Sequence, residues 1–135
     1  FGPCVVWLIQ SRTRIARRRY NRGIVDCRSH HMLAAFSVAP AGGRADDSVH
    51  DAVAAAVRIV RESGLPNRTD SMFTTIEGEW TEVFDVIRRA TEAVAAYGTR
   101  VSLVVKADIR PGHTGEMTGK LERLEKAITA QEHGA

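Results

Sequence analysis

The seven residues from Thr74 to Trp80, TTIEGEW, hold the end of a predicted strand and the beginning of a predicted helix. Thr74, Thr75 and Ile76 are β-branched, which favours an extended strand. Gly78 is expected to break that strand. Acidic residues follow at positions 79, 82 and 85, where the N-terminal turns of a helix favour negative charge. The stretch therefore predicts a strand that passes almost directly into a helix.

Other elements follow on both sides of this stretch. A strand from Met32 to Pro40 precedes a helix that is capped by Ser48 and ends at Ser63-Gly64. Two short strands fit between residues 67 and 77, divided near 71–73, and Arg100 to Ile109 forms a last strand. The order predicts an α+β protein with a ferredoxin-like βαββαβ sandwich, in which two helices cover one face of a four-stranded antiparallel sheet. A further C-terminal helix follows.

Apolar residues recur at helical spacing in all three predicted helices. For each helix, we expect these residues to form the buried face. They are Val49, Val53, Ala56, Val57 and Val60 in the first helix; Trp80, Val83, Phe84, Ile87, Val94 and Tyr97 in the second; and Met117, Leu121, Leu124 and Ile128 in the third.

The first 31 residues differ in composition from the rest. They carry seven arginines and one acid, a net charge of +6, whereas the whole chain is +3, so the remainder is −3. Arginine-rich segments are found in transit peptides and nucleic-acid-binding arms. We favour a disordered or upstream extension, with Met32 as the true start, so that 32–135 is the domain. An acidic domain predicts no nucleic-acid partner, and no apolar run is long enough to predict a membrane span.

Strand alternation divides the residues of the sheet between two faces. Phe36 with Ala34 and Val38, Ile76 with Thr74, and Leu103 with Val105 and Ala107 are assigned to the helix-covered face. The open face is then a mixture of Leu33, Ala35, Val104, Ser37, Thr75, Glu77 and Lys106. Because such an apolar mixture is not normally left to water, we expect a homodimer through the sheet faces, or a homotetramer built from two such dimers.

Glu77 is the strongest candidate for a binding residue. It ends a central strand at the rim of the sheet, where a carboxylate can accept hydrogen bonds from an amine or a cation. A solvated glutamate that favours the adjacent helix N-terminus is the alternative. Trp80 is either a core anchor or a stacking platform. Both cysteines, Cys4 and Cys27, precede the domain, and isolated histidines do not predict a metal site.

The TTIEGEW block resembles the small thiamine-binding protein family, which is related to the YkoF-like proteins. Glu82, Val83 and Ile87, the opening strand Phe36-Ser37-Val38 with Pro40, and the helix end Glu62-Ser63-Gly64-Leu65 support the resemblance. It covers Met32 to Ile128. Phe73 and Asn67 depart from the family's usual small and aromatic residues at those positions.

The resemblance implies a ferredoxin-like dimer or tetramer that binds thiamine or its hydroxymethylpyrimidine moiety without catalysis. Carried onto this chain, it implies that Ser37, Thr75, Glu77 and Trp80 bind the ligand, with no metal and no resident cofactor. We expect a cytoplasmic protein. Two other functions stay open: a cofactor-free enzyme on a dimeric ferredoxin-like fold, and an oligomerisation or regulatory module.

Overall fold

The computed structural model describes residues 30–42 and 49–134. The N-terminal segment up to residue 29, including both cysteines, and the predicted Ser48 cap lie outside the described residues. The elements are β1 His31–Ala41, α1 Val49–Glu62, β2 Asn67–Thr69, β3 Thr74–Glu79, α2 Trp80–Ala95, β4 Arg100–Ile109 and α3 Glu116–His133. This is the predicted order, with α3 as the additional helix.

The four strands form one antiparallel sheet in the order β2-β3-β1-β4. β1 and β3 lie in the centre, while β2 and β4 form the edges. Helices α1 and α2 pack against each other and against the central strand β1 on one face. The fold is therefore the α+β, ferredoxin-like sandwich that the sequence predicts.

Alternating residues of the central strands fill the space beneath the helices. On β1, Met32, Ala34, Phe36 and Val38 are buried, and on β3 Thr74 and Ile76 are buried with them. From α2 the core receives Val83, Val86, Ile87, Ala90 and Val94. The predicted assignment of faces on β1 and β3 is confirmed.

Helix α1 is rotated relative to the predicted buried face. Its buried residues are Ala52, Ala56 and Val60, whereas Val49 is 56% exposed and Val53 is 37% exposed. Alanine has almost no side chain beyond the backbone, so a helix that buries alanines can lie close to the sheet and to α2. The prediction favoured the larger valines and was wrong for these two positions.

Four positions outside α1 and α3 are also more exposed than predicted. Trp80 is 41% exposed and Tyr97 is 39% exposed, because Trp80 is the first residue of α2 and Tyr97 lies beyond its end. Leu103 is 41% exposed and Ala107 is also exposed, because β4 is an edge strand. Gly78 does not end β3, which continues to Glu79 with Gly78 packed against Leu65 and Val83.

Helix α3 is the element with the least packing. The apolar residues Leu121, Leu124 and Ile128 are between 40% and 53% exposed, so the helix forms as predicted but its apolar stripe is not buried within the described chain. None of the helices in 30–42 and 49–134 is both long and apolar enough to cross a membrane.

Candidate functional site

Glu77 lies on the face of the sheet that α1 and α2 leave open. Its neighbours Ile76 and Gly78 point into the core, and alternation therefore turns Glu77 the other way. In the sheet it pairs with Leu33 of β1. Although it is on the open face, Glu77 is only 2% exposed, so another part of the chain must cover it.

The first turn of α3 covers Glu77. Its Oε1 accepts hydrogen bonds from the backbone N–H of Glu116 at 2.9 Å and from Nε2 of His31 at 3.0 Å. Its Oε2 accepts one from the backbone N–H of Met117 at 3.0 Å. Because a carboxylate only accepts, Nε2 of His31 carries the proton of that bond.

This contact replaces the local cap that α3 lacks. Gly115, which precedes α3, has a left-handed backbone with φ of 70°, and no side-chain hydrogen bond from that position caps the helix. The first N–H groups of a helix need acceptors and favour negative charge. Glu77, on a strand 39 residues earlier, supplies both, so it anchors α3 on the sheet.

Hydrogen bonding keeps the Glu77 carboxyl ionised. Burial by itself would raise its pKa, but the N–H groups of Met117 and Glu116 and the bond from His31 together hold the pKa below its ordinary value. A negative charge therefore lies on the open face, buried beneath the first turn of α3. The amides at the N-terminus of α3 and the His31 side chain stabilise it.

Further ion pairs hold the first turn of α3. Arg123 donates to Glu116 at 2.6 Å, and this bond is the main cause of the lowered pKa of the Glu116 carboxyl. Lys120 pairs with Asp108 of β4. The helix is thus attached to β3 through Glu77 and, one turn later, to β4 through Asp108.

Thr75 and Ser37 share the open face with Glu77, as predicted. Thr75 lies two residues before Glu77 on β3, opposite Ala35 of β1 and Arg68 of β2. Ser37 lies on β1 opposite Val104. It is four residues from Leu33, the partner of Glu77, which is about 13 Å along a strand. The structure thus places the three side chains on one face, with Ser37 and Glu77 at separate positions along it.

Trp80 is not part of this group. Its ring packs against Phe84 of the same helix with 4.7 Å between ring centroids. Helix α2 covers the opposite face of the sheet from Glu77, so Trp80 belongs to the helical layer. Its role in binding stays a prediction.

Sequence reasoning missed two parts of the site. His31 was given no role, although strand alternation places it on the open face, opposite Glu79 and close to both carboxylates. Extending β1 by one residue would have found it. The α3 amides at 116 and 117 carried no such signal, because backbone groups of a distant helix have no residue pattern.

The hollow next to His31 and Glu116, two of the hydrogen-bond partners of Glu77, is too small for an organic ligand. It amounts to about 10 Å³, between His31, Leu33, Asp108, Arg110 and the start of α3, whereas sites for small molecules usually measure about 300–1,000 Å³. A cleft of about 210 Å³ reaches Ser37 from between α1 and the β2–β3 loop. Within 30–42 and 49–134, no cluster of three or more His, Cys, Asp or Glu side chains is suited to a metal ion.

Curated relatives resemble most of the chain. The UPF0045 proteins of Mycobacterium bovis and Mycobacterium tuberculosis are each 51% identical to it over 102 residues, 75% of this chain and 98% of the relative. A UPF0045 protein of Synechocystis is 33% identical over 79 residues, 58% of this chain and 65% of that protein.

Solved structures share the fold. A domain of unknown function, DUF77, from Bacillus cereus is 30% identical with a TM-score of 0.59, covering 68% of this chain and 89% of that one. A hypothetical protein of Methanocaldococcus jannaschii is 26% identical with a TM-score of 0.63, covering 70% and 96%. A Thermotoga maritima protein, provisionally assigned to thiamine biosynthesis or salvage, is 22% identical with a TM-score of 0.57 over 65% and 94%, and supports the fold alone.

A family model described as thiamine-binding protein matches residues 34–125. That range runs from the fourth residue of β1 into α3 and contains Ser37, Thr75, Glu77 and Trp80. The match covers more than half of the chain, and it agrees with the resemblance carried by the TTIEGEW block. This chain therefore belongs to the thiamine-binding protein family.

Proposed function

We propose that this protein binds thiamine or its hydroxymethylpyrimidine precursor on the open face of the sheet, and that it does so without catalysing a reaction. Membership of the thiamine-binding family supports the class of ligand. The observation that carries the proposal is the ionised Glu77 carboxylate, which shares one face of β3 with the Thr75 hydroxyl.

The ligand's chemistry matches that of the face. The aminopyrimidine of thiamine has an exocyclic amine and ring nitrogens, and the thiazolium is a cation. An ionised carboxylate offers about four acceptor positions, and three of those on Glu77 are used by Glu116, Met117 and His31. The remaining position is on Oε2. A charge-assisted bond to it from the amine contributes about 1.5–3 kcal/mol.

The secondary contacts follow from the register of the sheet. Thr75 lies two residues before Glu77 on the open face of β3, so it would bond the pyrimidine end of the ligand. Ser37 is about 13 Å away along the sheet, so it would bond the opposite end. Trp80 is 41% exposed at the start of α2 and lies in the helical layer, and its predicted stacking role is tested by the same experiments.

Calorimetry with thiamine and hydroxymethylpyrimidine tests the binding proposal. We expect Glu77→Gln to weaken binding at least tenfold, because the charge is lost. That variant also removes an α3 acceptor, so Thr75→Val is the cleaner change and is expected to weaken binding about fivefold. Thr74→Val is its matched control, because Thr74 has the same chemistry but faces the core, where it bonds Thr69.

Equal binding by the wild type and Glu77→Gln would refute the role of Glu77. Equal losses in Thr75→Val and Thr74→Val would show that the effect is structural and would refute the assignment to the open face. The same design tests the other two residues. Ser37→Ala is compared with its control Ser102→Ala, and Trp80→Phe is compared with its control Phe84→Leu. The absence of any heat with either compound would refute the ligand class.

We also propose that the protein works as a homodimer or homotetramer assembled through the open face, in the cytoplasm and without a resident cofactor. The partly exposed Leu33, Ala35 and Val104 support self-association. Mass spectrometry of ligand recovered after prolonged incubation tests the absence of catalysis, since the ligand should be unchanged. Measurement of the native molecular mass tests the oligomeric state, and cell fractionation tests the location.

A further inference from the structure

A long groove runs along the side of α1 that is turned away from the core. Its volume is about 780 Å³, which lies within the range of about 300–1,000 Å³ that is usual for sites that bind small molecules. Helix α1 lines it from Val49 to Glu62, and Ser71 lines it from the turn between β2 and β3. The groove belongs to the helical layer, so it lies on the opposite side of the sheet from Glu77.

Two neighbouring rows of α1 residues form the floor of this groove. One row consists of Val49, Val53, Val57 and Arg61, and the other consists of His50, Ala54, Arg58 and Glu62. The members of each row are four positions apart, so they lie one above the other along the helix. The first row is apolar for about 12 Å, at 1.5 Å per residue, and both arginines lie at its C-terminal end.

The valines of the first row are not explained by the core of the protein. Val49 is 56% exposed, Val53 is 37% exposed and Val57 is only partly buried. On the outer side of a helix, β-branched residues stabilise the helix less than alanine or lysine does. Three of them in one row therefore form an apolar strip, which the apolar part of a ligand would cover.

The turn between β2 and β3 forms the opposite wall at the apolar end. Oδ1 of Asp70 accepts hydrogen bonds from the N–H groups of Met72 at 2.8 Å and Phe73 at 2.9 Å, which fixes the turn and leaves Met72 72% exposed. The cleft of about 210 Å³ beside Met72 and Phe73 shares the three valines with the groove. The hollow is therefore deepest at its apolar end.

Arg58 and Arg61 supply positive charge at the other end. Residues three positions apart are neighbours on a helix, with about 5–6 Å between their Cβ atoms, so both guanidinium groups can reach one anion. Within 30–42 and 49–134, neither arginine forms an ion pair, whereas Arg88 and Arg89 of α2 both pair with Asp85. The groove thus combines an apolar strip with two arginines that have no carboxylate partner in the described chain.

We propose that this groove binds a medium-chain aliphatic carboxylate, with its head at Arg58 and Arg61 and its chain along the valines towards Val49. A guanidinium can donate two parallel hydrogen bonds to a carboxylate, and the chain gains free energy in proportion to the apolar area that it buries. Glu62 offsets one of the two arginine charges, so the polar end suits a singly charged head better than a doubly charged phosphate.

This site is separate from the one proposed for thiamine. Thiamine is a cation and has no anionic head for the arginines, and Glu77 is on the other side of the sheet. The inference therefore goes beyond the proposed function and does not depend on it.

Calorimetry on the full chain tests the class of ligand. Decanoate is the probe, because its extended chain is about as long as the apolar row. We expect hexanoate to bind at least tenfold more weakly, since less chain is buried, and decyltrimethylammonium to bind at least tenfold more weakly, since its head is a cation. Equal binding of decanoate and the cation would overturn the role of the arginines, and the absence of binding by decanoate would overturn the proposal.

Variants at the polar end test the position of the head. The double variant Arg58→Gln with Arg61→Gln should weaken decanoate binding at least tenfold. Arg68→Gln is the matched control and should change it less than twofold, because Arg68 is also exposed and without an ion pair in the described residues but lies on β2 opposite Thr75. A loss no larger in the double variant than in the control would overturn the assignment of the head.

A second pair of variants tests the path of the chain. Ala54→Glu places a carboxylate in the groove, four residues before Arg58, where it also competes for that arginine, and should abolish decanoate binding. Ala95→Glu is the control, because Ala95 is likewise an exposed alanine in a helix but lies on α2 outside the groove. Equal losses in the two variants would overturn the placement of the ligand along α1.

NMR locates the ligand directly and separates this site from the open face. With decanoate, the amide signals of residues 49–62 and 71–73 should shift most, and Glu77→Gln should bind decanoate as tightly as the wild type does. Shifts centred on β3 and the start of α3, or loss of decanoate binding in Glu77→Gln, would overturn the groove as the site.

Discussion

Helices α2 and α3 have similar sequence patterns and opposite fates. Both carry apolar residues at helical spacing, but α2 buries Val83, Ile87 and Val94 against the sheet, whereas α3 leaves Leu121, Leu124 and Ile128 half exposed. They also begin differently. Helix α2 follows β3 without a break, while α3 begins after a left-handed glycine and depends on Glu77 from β3.

The difference between α2 and α3 shows that the formation of an amphipathic helix and the burial of its apolar side are separate properties. Spacing determines whether a segment can form a helix with an apolar side, but contacts elsewhere in the protein determine whether that side is buried within the same chain. In α2 the folded chain provides the partner surface. In α3 the described part of the chain provides the anchor at Glu77 and the ion pair between Lys120 and Asp108, but it does not cover the apolar stripe.

The largest expected effect lies in α2. Ile87→Ala should lower the free energy of unfolding by about 2–5 kcal/mol, because it removes buried methyl groups and leaves a cavity in the core. Urea denaturation followed by circular dichroism measures the change. A loss below about 1 kcal/mol would show that α2 is packed no better than α3 and would remove the contrast.

The anchor of α3 should have the next largest effect. Glu77→Ala leaves buried N–H groups of Glu116 and Met117 and the His31 ring without an acceptor, at a cost of about 1–3 kcal/mol. Hydrogen exchange should show lost protection in the first turn of α3 with α2 unchanged. Glu79→Ala, whose side chain is 43% exposed, is the control, and an equal effect there would contradict the anchoring role.

As the pH falls, the attachment of α3 to the sheet should weaken at a higher pH than the packing of α2. We expect this effect to be smaller than that of Glu77→Ala. The pKa of Glu77 is lower in the folded protein than its ordinary value of 4.5, so its contribution to stability is complete above pH 4.5 and is lost as the pH falls through the lower folded-state pKa. Wild type should therefore lose more stability than Glu77→Gln between pH 5 and 3. Parallel curves would contradict this prediction.

The smallest effect should come from the α3 stripe. At concentrations where the chain is monomeric, Leu124→Ala should change the free energy of unfolding by less than about 0.5 kcal/mol, as expected for an exposed position. Denaturation at the lowest measurable concentration tests this. A loss comparable to that of Ile87→Ala would mean that α3 packs within its own chain.

The fold was predictable because its central elements follow local rules. The alternation on β1 and β3 matched burial, and Gly64 ended α1 with the expected left-handed backbone. Errors occurred where neighbouring elements decide exposure. In α1 the alanines, and not Val49 and Val53, face the core, and Leu103 is exposed because β4 is an edge strand.

The site was predictable only in part. Alternation placed Ser37, Thr75 and Glu77 on one face, but their separation along it depends on the pairing of β1 with β3. The hydrogen bonds between Glu77 and the α3 amides join residues that are 39 positions or more apart in the sequence. No local sequence pattern predicts them. The lowered pKa of the Glu77 carboxyl results from that contact, so it could not be predicted from the sequence either.

The origin of the α3 cap also has a consequence for the order of folding. Because the acceptor for its first amides lies on β3, α3 gains its anchor only after the β1–β3 pair has formed and turned Glu77 to the outer face. Substitutions in α3 should therefore leave the refolding rate nearly unchanged and speed unfolding instead. During synthesis the last helix would join a sheet that is already assembled.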